Sequence, residues 1–193
     1  MTDQELIEGI KNRDRIALQY LVTTYQRKVI KTAFYFLGNM EDAEDLSQEV
    51  FIGIIDSVAL FRKKSSLSTW IYRITVNQSL NFLKKRQRRG VFSRIESLFY
   101  SGTGNNRLTP GEPVTNENRF EEKELRGILQ QAVRSLPENQ QIAFVLYKYD
   151  DHSYKEIAEI MELTLSSVES LIHRAKINLQ KRLISDFSEY KKL

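Results

Sequence analysis

Apolar residues recur at helical spacing along almost the whole chain, and a single stretch from Ser97 to Asn118 interrupts them. Ala17, Leu18, Leu21, Val22 and Tyr25 return every three or four residues, as do Val29, Ile30, Ala33, Phe34 and Leu37. That is the period of one helix face. Leu46, Val50, Ile54 and Phe61, with Phe51, Ile55 and Val58, form a third stripe. Ile71, Ile74 and Leu83 mark a fourth helix opening at Ser68 or Thr69. No segment alternates apolar and polar residues as a half-buried strand does. The interruption holds Gly102, Gly104, Pro110, Gly111 and Pro113, five of the chain's 8 Gly and 3 Pro. A structureless run of about 20 residues is rare inside a compact domain, so it reads as a linker. The expected fold is all-α: two small helical domains, residues 1–95 and 120–193, joined by a flexible linker over 96–119.

Local signals place the helix ends. Thr2-x-x-Glu5 and Ser153-x-x-Glu156 have the form of capping boxes, and Gly38-Asn39 reads as a stop. Past the linker, Leu125, Ile128, Leu129, Ala132, Val133 and Leu136 share a face; Pro137 sits at a helix start, and Ile142, Val145, Leu146 and Tyr149 follow. Two short helices and a C-terminal tail are expected to complete the chain. Ile157, Ala158 and Met161 are expected to face inward in the first, and Thr164 to cap the second, where Val168, Leu171, Ile172, Ala175 and Leu179 repeat. A small Ala in the first helix and apolar residues in the turn and second helix match a helix-turn-helix over residues 154–173. Its outward side carries Ser166, Ser167, Glu169, Ser170, His173, Arg174 and Lys176, groups that reach base edges or phosphates. An ordinary helical hairpin has the same apolar pattern.

Charge is sorted along the first domain. Between Thr32 and Phe61 stand Glu41, Asp42, Glu44, Asp45, Glu49 and Asp56 and no basic residue. From Arg62 to Ile95 stand Arg62, Lys63, Lys64, Arg73, Lys84, Lys85, Arg86, Arg88, Arg89 and Arg94 and no acidic one. A net charge of +4 conceals this split, which predicts one basic and one polyanionic partner. Asp42, Asp45, Glu49 and Asp56 fall on one helical stripe, edged by Gln48 and Ile52. The stripe spreads its carboxylates over roughly 21 Å, at about 1.5 Å per residue. Acid–base or metal chemistry needs carboxylates that converge, so docking on a basic protein surface is the better reading and no catalytic site is expected. A metal-dependent nuclease is the rival that would use this stripe.

The basic side is interleaved with rings. Phe61-Arg-Lys-Lys-Ser-Ser-Leu-Ser-Thr-Trp70 leads to Tyr72, Asn77, Asn81 and Phe82. Cations that track a backbone and rings that stack on bases suit single-stranded nucleic acid. Phe61 and Trp70 serve equally well as core residues, and the sequence leaves both roles open. Lys84-Lys-Arg-Gln-Arg-Arg89 packs five positives into six residues, a phosphate-binding cluster.

Composition excludes other classes. No Cys means no disulfide, thiolate metal site or Cys nucleophile, and two His make a His-rich site unexpected. No metal or cofactor is expected. The polar, acidic start Met1-Thr2-Asp3-Gln4-Glu5 is unlike a signal peptide, and no apolar run approaches the ~18 residues of a membrane span. A cytoplasmic protein, not inserted in a membrane, is expected.

Asp42-Ala-Glu-Asp-Leu-Ser-Gln-Glu-Val-Phe51, Phe61-Arg62, Ser68-Thr-Trp-Ile-Tyr-Arg-Ile-Thr-Val-Asn77 and the helix-turn-helix ending in His173-Arg-Ala-Lys176 together resemble bacterial RNA polymerase sigma factors. Without further domains, the chain resembles the extracytoplasmic function (ECF) subfamily of the sigma-70 family. The resemblance covers nearly everything but the linker. It implies a non-enzymatic factor that directs core RNA polymerase to promoters. Asp42, Asp45, Leu46, Gln48, Glu49, Phe51, Ile52 and Asp56 would dock on the polymerase. Phe61, Arg62, Lys63, Lys64, Ser65, Ser66, Ser68, Thr69, Trp70, Arg73 and Asn77, with Lys84, Lys85, Arg86, Arg88 and Arg89, would capture the melted −10 strand. Tyr154, Lys155, Thr164, Ser166, Ser167, Glu169, Ser170, His173, Arg174 and Lys176 would read the −35 duplex. The linker would thread toward the RNA exit path, and a cognate anti-sigma factor joins the implied partners. Two positions depart from the pattern: Glu169-Ser170-Leu171 stands where Lys-Ser-Arg is common, and Glu162 where such turns often have Gly. The alternative is a helix-turn-helix regulator that binds duplex DNA without being a polymerase subunit. Each domain has a core of marginal size. Their relative placement is therefore expected to depend on polymerase, not on contacts between them.

Overall fold

The computed structural model describes residues 1–62, 65–99 and 127–190, without the side chains of 89–99 and 186–190. Lys63 and Lys64, the Arg89 side chain and most of the expected linker lie outside the described residues. Eight α-helices are described: α1 (Asp3–Lys11), α2 (Arg15–Leu37), α3 (Met40–Ser57), α4 (Leu67–Phe99), α5 (127–134), α6 (Glu138–Lys148), α7 (Tyr154–Met161) and α8 (Leu165–Tyr190), with a 3-10 turn at Val58–Leu60. No strand occurs among the described residues. The first residues of the expected linker, 96–99, continue α4.

The caps fall where short-range chemistry puts them. The Thr2 and Ser153 boxes both form, each hydroxyl accepting from the backbone of Glu5 or Glu156 while that Glu accepts in return. Gly38 ends α2 at φ 72°, donating its N–H to Phe34 O. Only glycine adopts that conformation freely, and here a Cβ would also strike the Arg134 guanidinium of α5. Asn39 then caps α3. α4 opens at Leu67, one residue before the expected start, because the Ser66 hydroxyl accepts from Thr69 N–H at 3.0 Å.

The first core is built from α1 to α4 around Leu6, Ile10, Leu21, Leu46, Ile54, Leu67 and Ile71. The second gathers Val145, Leu146, Ile157, Val168 and Ile172 from α6 to α8, but it also contains Phe36 of α2 and Tyr72, Val76 and Leu80 of α4. α4 thus carries two apolar stripes, one for each core. Thr75 and Ser79 are buried between them, and each hydroxyl donates to the carbonyl four residues earlier, at 2.9 and 2.8 Å. That back-bonding lets a polar residue stay buried without an outside partner.

The independent placement expected of the two domains is therefore overturned. Two faces too small to seal a core alone gain apolar burial by closing on each other, at roughly 25 cal/mol per Å² removed from water. In α7 the inward residues are Ile157 and Ile160; Ala158 and Met161, expected to face inward, are half-buried.

Candidate protein and nucleic-acid interfaces

α3 separates its residues cleanly by depth. Asp45, Gln48, Glu49, Ile52 and Asp56 are exposed, and Ile52 at 59% is an apolar side chain standing in the acidic row. Asp42 is half-buried and pairs with Arg86 of α4 at 3.1 Å. Leu46 and Phe51, expected among the docking residues, are core residues, as their apolar stripe also predicts, and stand behind this face. Helical spacing placed both the stripe and the inward-turned neighbours Leu46, Val50, Phe51, Ile54 and Val58 correctly. Among the described residues no three His, Cys, Asp or Glu gather as metal ligands do.

At the start of α4, the Phe61 and Trp70 rings lie 5.2 Å apart at a 51° tilt. Both are half-buried against the first core, so each ring fills the core along one side and leaves the other accessible. The Ser66 and Thr69 hydroxyls are 2.8 Å apart. Thr69 is buried, and its hydroxyl closes the cap instead of facing outward as expected. Arg62, Ser66, Asn77, Lys84, Lys85, Arg86 and Arg88 are exposed, with Ser65 and Ser68 half-buried. Lys85 and Arg86 share a groove with Glu49, Gln78, Asn81 and Phe82, where the acidic and basic faces meet.

The helix-turn-helix forms over α7 and α8. Glu162 makes the turn at φ 56°, ψ 41°, and the Thr164 hydroxyl accepts from Ser167 N–H at 3.3 Å to start α8. Val168, Ile172, Ala175 and Leu179 are buried, while Ser166, Glu169, His173 and Arg174 are exposed. Arg174 donates to Ser170 Oγ at 2.8 Å. Lys155 is exposed, but Tyr154 sets its ring edge on Tyr147 at 5.2 Å, and Lys176 lies over the same ring at 5.0 Å. Tyr154 and Lys176 thus brace the flank of the unit.

Sequence reading missed the seam between the domains. Tyr35 of α2 stacks on Tyr149, with centroids 3.7 Å apart and planes 13° from parallel. The His152 ring meets Tyr72 of α4 edge-on at 4.3 Å. The Asp150 side chain is 2% exposed; it accepts from the Thr32 hydroxyl at 2.7 Å and lies 3.7 Å from Lys31 Nζ. Burial raises the Asp150 carboxyl above the usual range, against the opposing pull of Thr32 and Lys31. Lys84 pairs with Glu138 at 3.1 Å. Arg73, expected to face a DNA strand, instead donates to α7 and its turn: to Glu162 Oε1 and Glu159 O at 2.6 Å each, and to Ile160 O at 3.2 Å. The one sequence signal at this seam was Glu162, a non-glycine residue in a turn position.

Thr32→Val keeps the shape but removes a donor to a buried carboxylate, a bond of about 1.5–3 kcal/mol when the acceptor is charged. Urea unfolding should show a loss of that order, and Thr32→Ser should retain most of the wild-type stability. Equal stability of Val and wild type would remove Asp150 from the seam.

Two family models match in chain order, Sigma-70 region 2 over residues 21–89 and Sigma-70 region 4 over residues 126–179. The ECF RNA polymerase sigma-E factor of Escherichia coli (strain K12) is 34% identical over 180 residues, covering 91% of both chains. The RNA polymerase sigma-H factor of Pseudomonas aeruginosa is 31% identical over 184 residues, covering 94% of this chain and 93% of that protein. Among solved structures, CnrH in complex with the cytosolic domain of CnrY is similar at TM-score 0.65 and 18% identity, over 95% of this chain and 98% of that one. The sigma factor RpoE in complex with the anti-sigma factor NepR from Bartonella quintana is similar at TM-score 0.58 and 20% identity, over 87% and 97%. These two similarities are similarities of fold.

Proposed function

This chain belongs to the ECF subfamily of sigma-70 family RNA polymerase sigma factors, and from that premise we propose which of its faces meets each partner in promoter-specific initiation. Residues 1–95 are the unit for polymerase binding and −10 capture, 120–193 the −35 unit, and 96–119 the connection. The exposed row Asp45, Gln48, Glu49, Ile52 and Asp56, with Asp42 at its end, docks on a basic polymerase surface. The accessible sides of Phe61 and Trp70, with Arg62, Ser65, Ser66, Ser68, Arg73 and Asn77, receive the melted −10 strand. Lys84, Lys85, Arg86 and Arg88 hold its phosphates. Ser166, Ser170, His173 and Arg174 enter the −35 major groove, with Lys155, Thr164 and Ser167 at the backbone. Glu169 would accept from a cytosine amine there.

The division of charge between α3 and α4 carries this reading, because it supplies separate surfaces for a basic protein and a polyanion on adjacent helices. The factor positions and opens DNA, while polymerase performs the phosphoryl transfer. Its place of action is the cytoplasm, and no described helix is long and apolar enough to cross a membrane. An anti-sigma factor is a further partner, in line with the complex of RpoE with the anti-sigma factor NepR. A duplex-binding regulator outside the polymerase would leave the α3 row without a role. Run-off transcription with core polymerase on a genomic fragment library tests the assignment. Starts that require this protein are expected, and their absence would overturn it.

A further inference from the structure

We propose that a pocket between the two domains binds a small apolar molecule carrying one carboxylate, with the Arg134 guanidinium as its counter-ion. The pocket has a volume of about 390 Å³. Small-molecule sites run upward from about 300 Å³ and lie preferentially at domain interfaces. Both domains wall this one: α4 supplies Leu80, Leu83 and Gln87, and the C-terminal domain supplies Arg134, Leu136 and Gln141. Phe36 of α2 backs the apolar wall.

The charged groups of the pocket differ in how they are satisfied. Lys84 and Glu138 neutralise each other, with Nζ 3.2 and 3.1 Å from the two carboxylate oxygens. No carboxylate pairs with Arg134 among the described residues. Its guanidinium lies against Gly38 at the C-terminal end of α2. A helix end supplies roughly half an elementary charge, so the rest of the Arg134 charge is open to an anion. Partial burial and repulsion by Arg86 hold the guanidinium below its usual range, and an anion would relieve both. The Gln141 side chain is 5% exposed and lines the same pocket, and its amide has no hydrogen-bond partner among the described residues. Buried amides are almost always bonded, so this one awaits a ligand atom.

These features select the ligand. Lys84, Arg134 and Glu138 together leave a single positive charge on the pocket. That matches a carboxylate and falls short of a phosphate monoester, which carries about −1.5 to −2. The guanidinium fork meets a carboxylate through two parallel N–H donors, and the Gln141 amide donates to the same head group. The leucine wall takes the apolar body, and a volume near the bottom of the ligand-site range favours a chain of medium length. Because the walls come from both domains, the bound molecule stabilises their closed arrangement by mass action.

Isothermal titration calorimetry of the full chain with decanoate, decanol and decylamine, each below its aggregation limit, tests the site. Decanoate should bind once per chain, and decanol about tenfold more weakly, the worth of a charge-assisted hydrogen bond. Decylamine should be weaker still, because its head is repelled. Arg134→Gln should cost decanoate about tenfold and leave decanol unchanged, and Arg134→Lys should recover part of the loss. Gln87 is exposed and lines the pocket, so Gln87→Trp should fill it without disturbing the core and block decanoate and decanol alike. Decanoate should also raise the urea midpoint of the wild type and leave that of Gln87→Trp unmoved. Should Arg134→Gln fail to fold, Gln87→Trp alone decides. Three results overturn the proposal: no binding of decanoate, equal binding of decanoate and decanol, or decanoate binding that survives the folded variants unchanged.

Discussion

Phe36→Ala should lower folding stability by about 3–5 kcal/mol, the cost of emptying a buried aromatic site. The residue belongs to α2, yet it lies in the second core among Val133, Leu136, Ile142 and Leu80, with no exposed surface. The cavity would open where the two domains meet. Urea unfolding followed by both Trp70 fluorescence and far-UV circular dichroism is the measurement. In the wild type both probes should report one transition, since α2 and α4 serve both cores. In the variant the circular dichroism transition should begin first, as α6 to α8 lose their support, and Trp70 should follow. Leu21→Ala is the control: Leu21 is equally buried but lies only in the first core. A loss below about 1 kcal/mol for Phe36→Ala would mean that the second core does not use α2.

Reversing the acidic row should affect function as strongly as Phe36→Ala affects stability. Asp45→Lys, Glu49→Lys and Asp56→Lys together replace three exposed carboxylates along one face of α3. None of the three side chains is in the core, so the fold should survive, as far-UV circular dichroism and unfolding can verify. Each reversed charge at a rim costs roughly 1 kcal/mol against a basic surface, so the triple variant should bind core polymerase about a hundredfold more weakly. Affinity for single-stranded DNA should be unchanged or higher, because repulsion of phosphate has been removed. The residual polymerase affinity should also depend less steeply on salt. Anisotropy titrations with labelled protein measure both affinities. Parallel loss of both would show one shared surface where the charge pattern predicts two.

Much of the fold was legible because its signals are local. A capping box spans four residues, and Thr2–Glu5 and Ser153–Glu156 both formed as read. Gly38 stopped α2 for a reason confined to its own φ. The carboxylate stripe on α3 followed from 3.6 residues per turn. The burial of Leu46 and Phe51 followed from the same apolar period, but that of Thr69 did not, because a helical wheel orders residues around an axis without saying how much of the wheel is covered. In α4, Ile71 and Ile74 announced one apolar stripe. Tyr72, Val76 and Leu80 form a second that becomes a core only when another domain covers it.

The amino-acid sequence alone determined the helices, their ends, the separation of acidic from basic surface, the helix-turn-helix and the family that these features resemble. The helices and their ends depend on residues within about two turns of one another, where backbone geometry fixes the spacing, and the charge split and the motifs are read along the chain without any tertiary contact. Only the tertiary structure decided that the domains close and what closure does to the working residues. Arg73 finds its partners 86 to 89 positions away, and Thr32 and Asp150 are 118 apart. Contacts at that range depend on the combined shape and charge of two surfaces whose residues lie far apart in the chain. A cation that reads as a ligand for DNA can therefore be held by the protein itself.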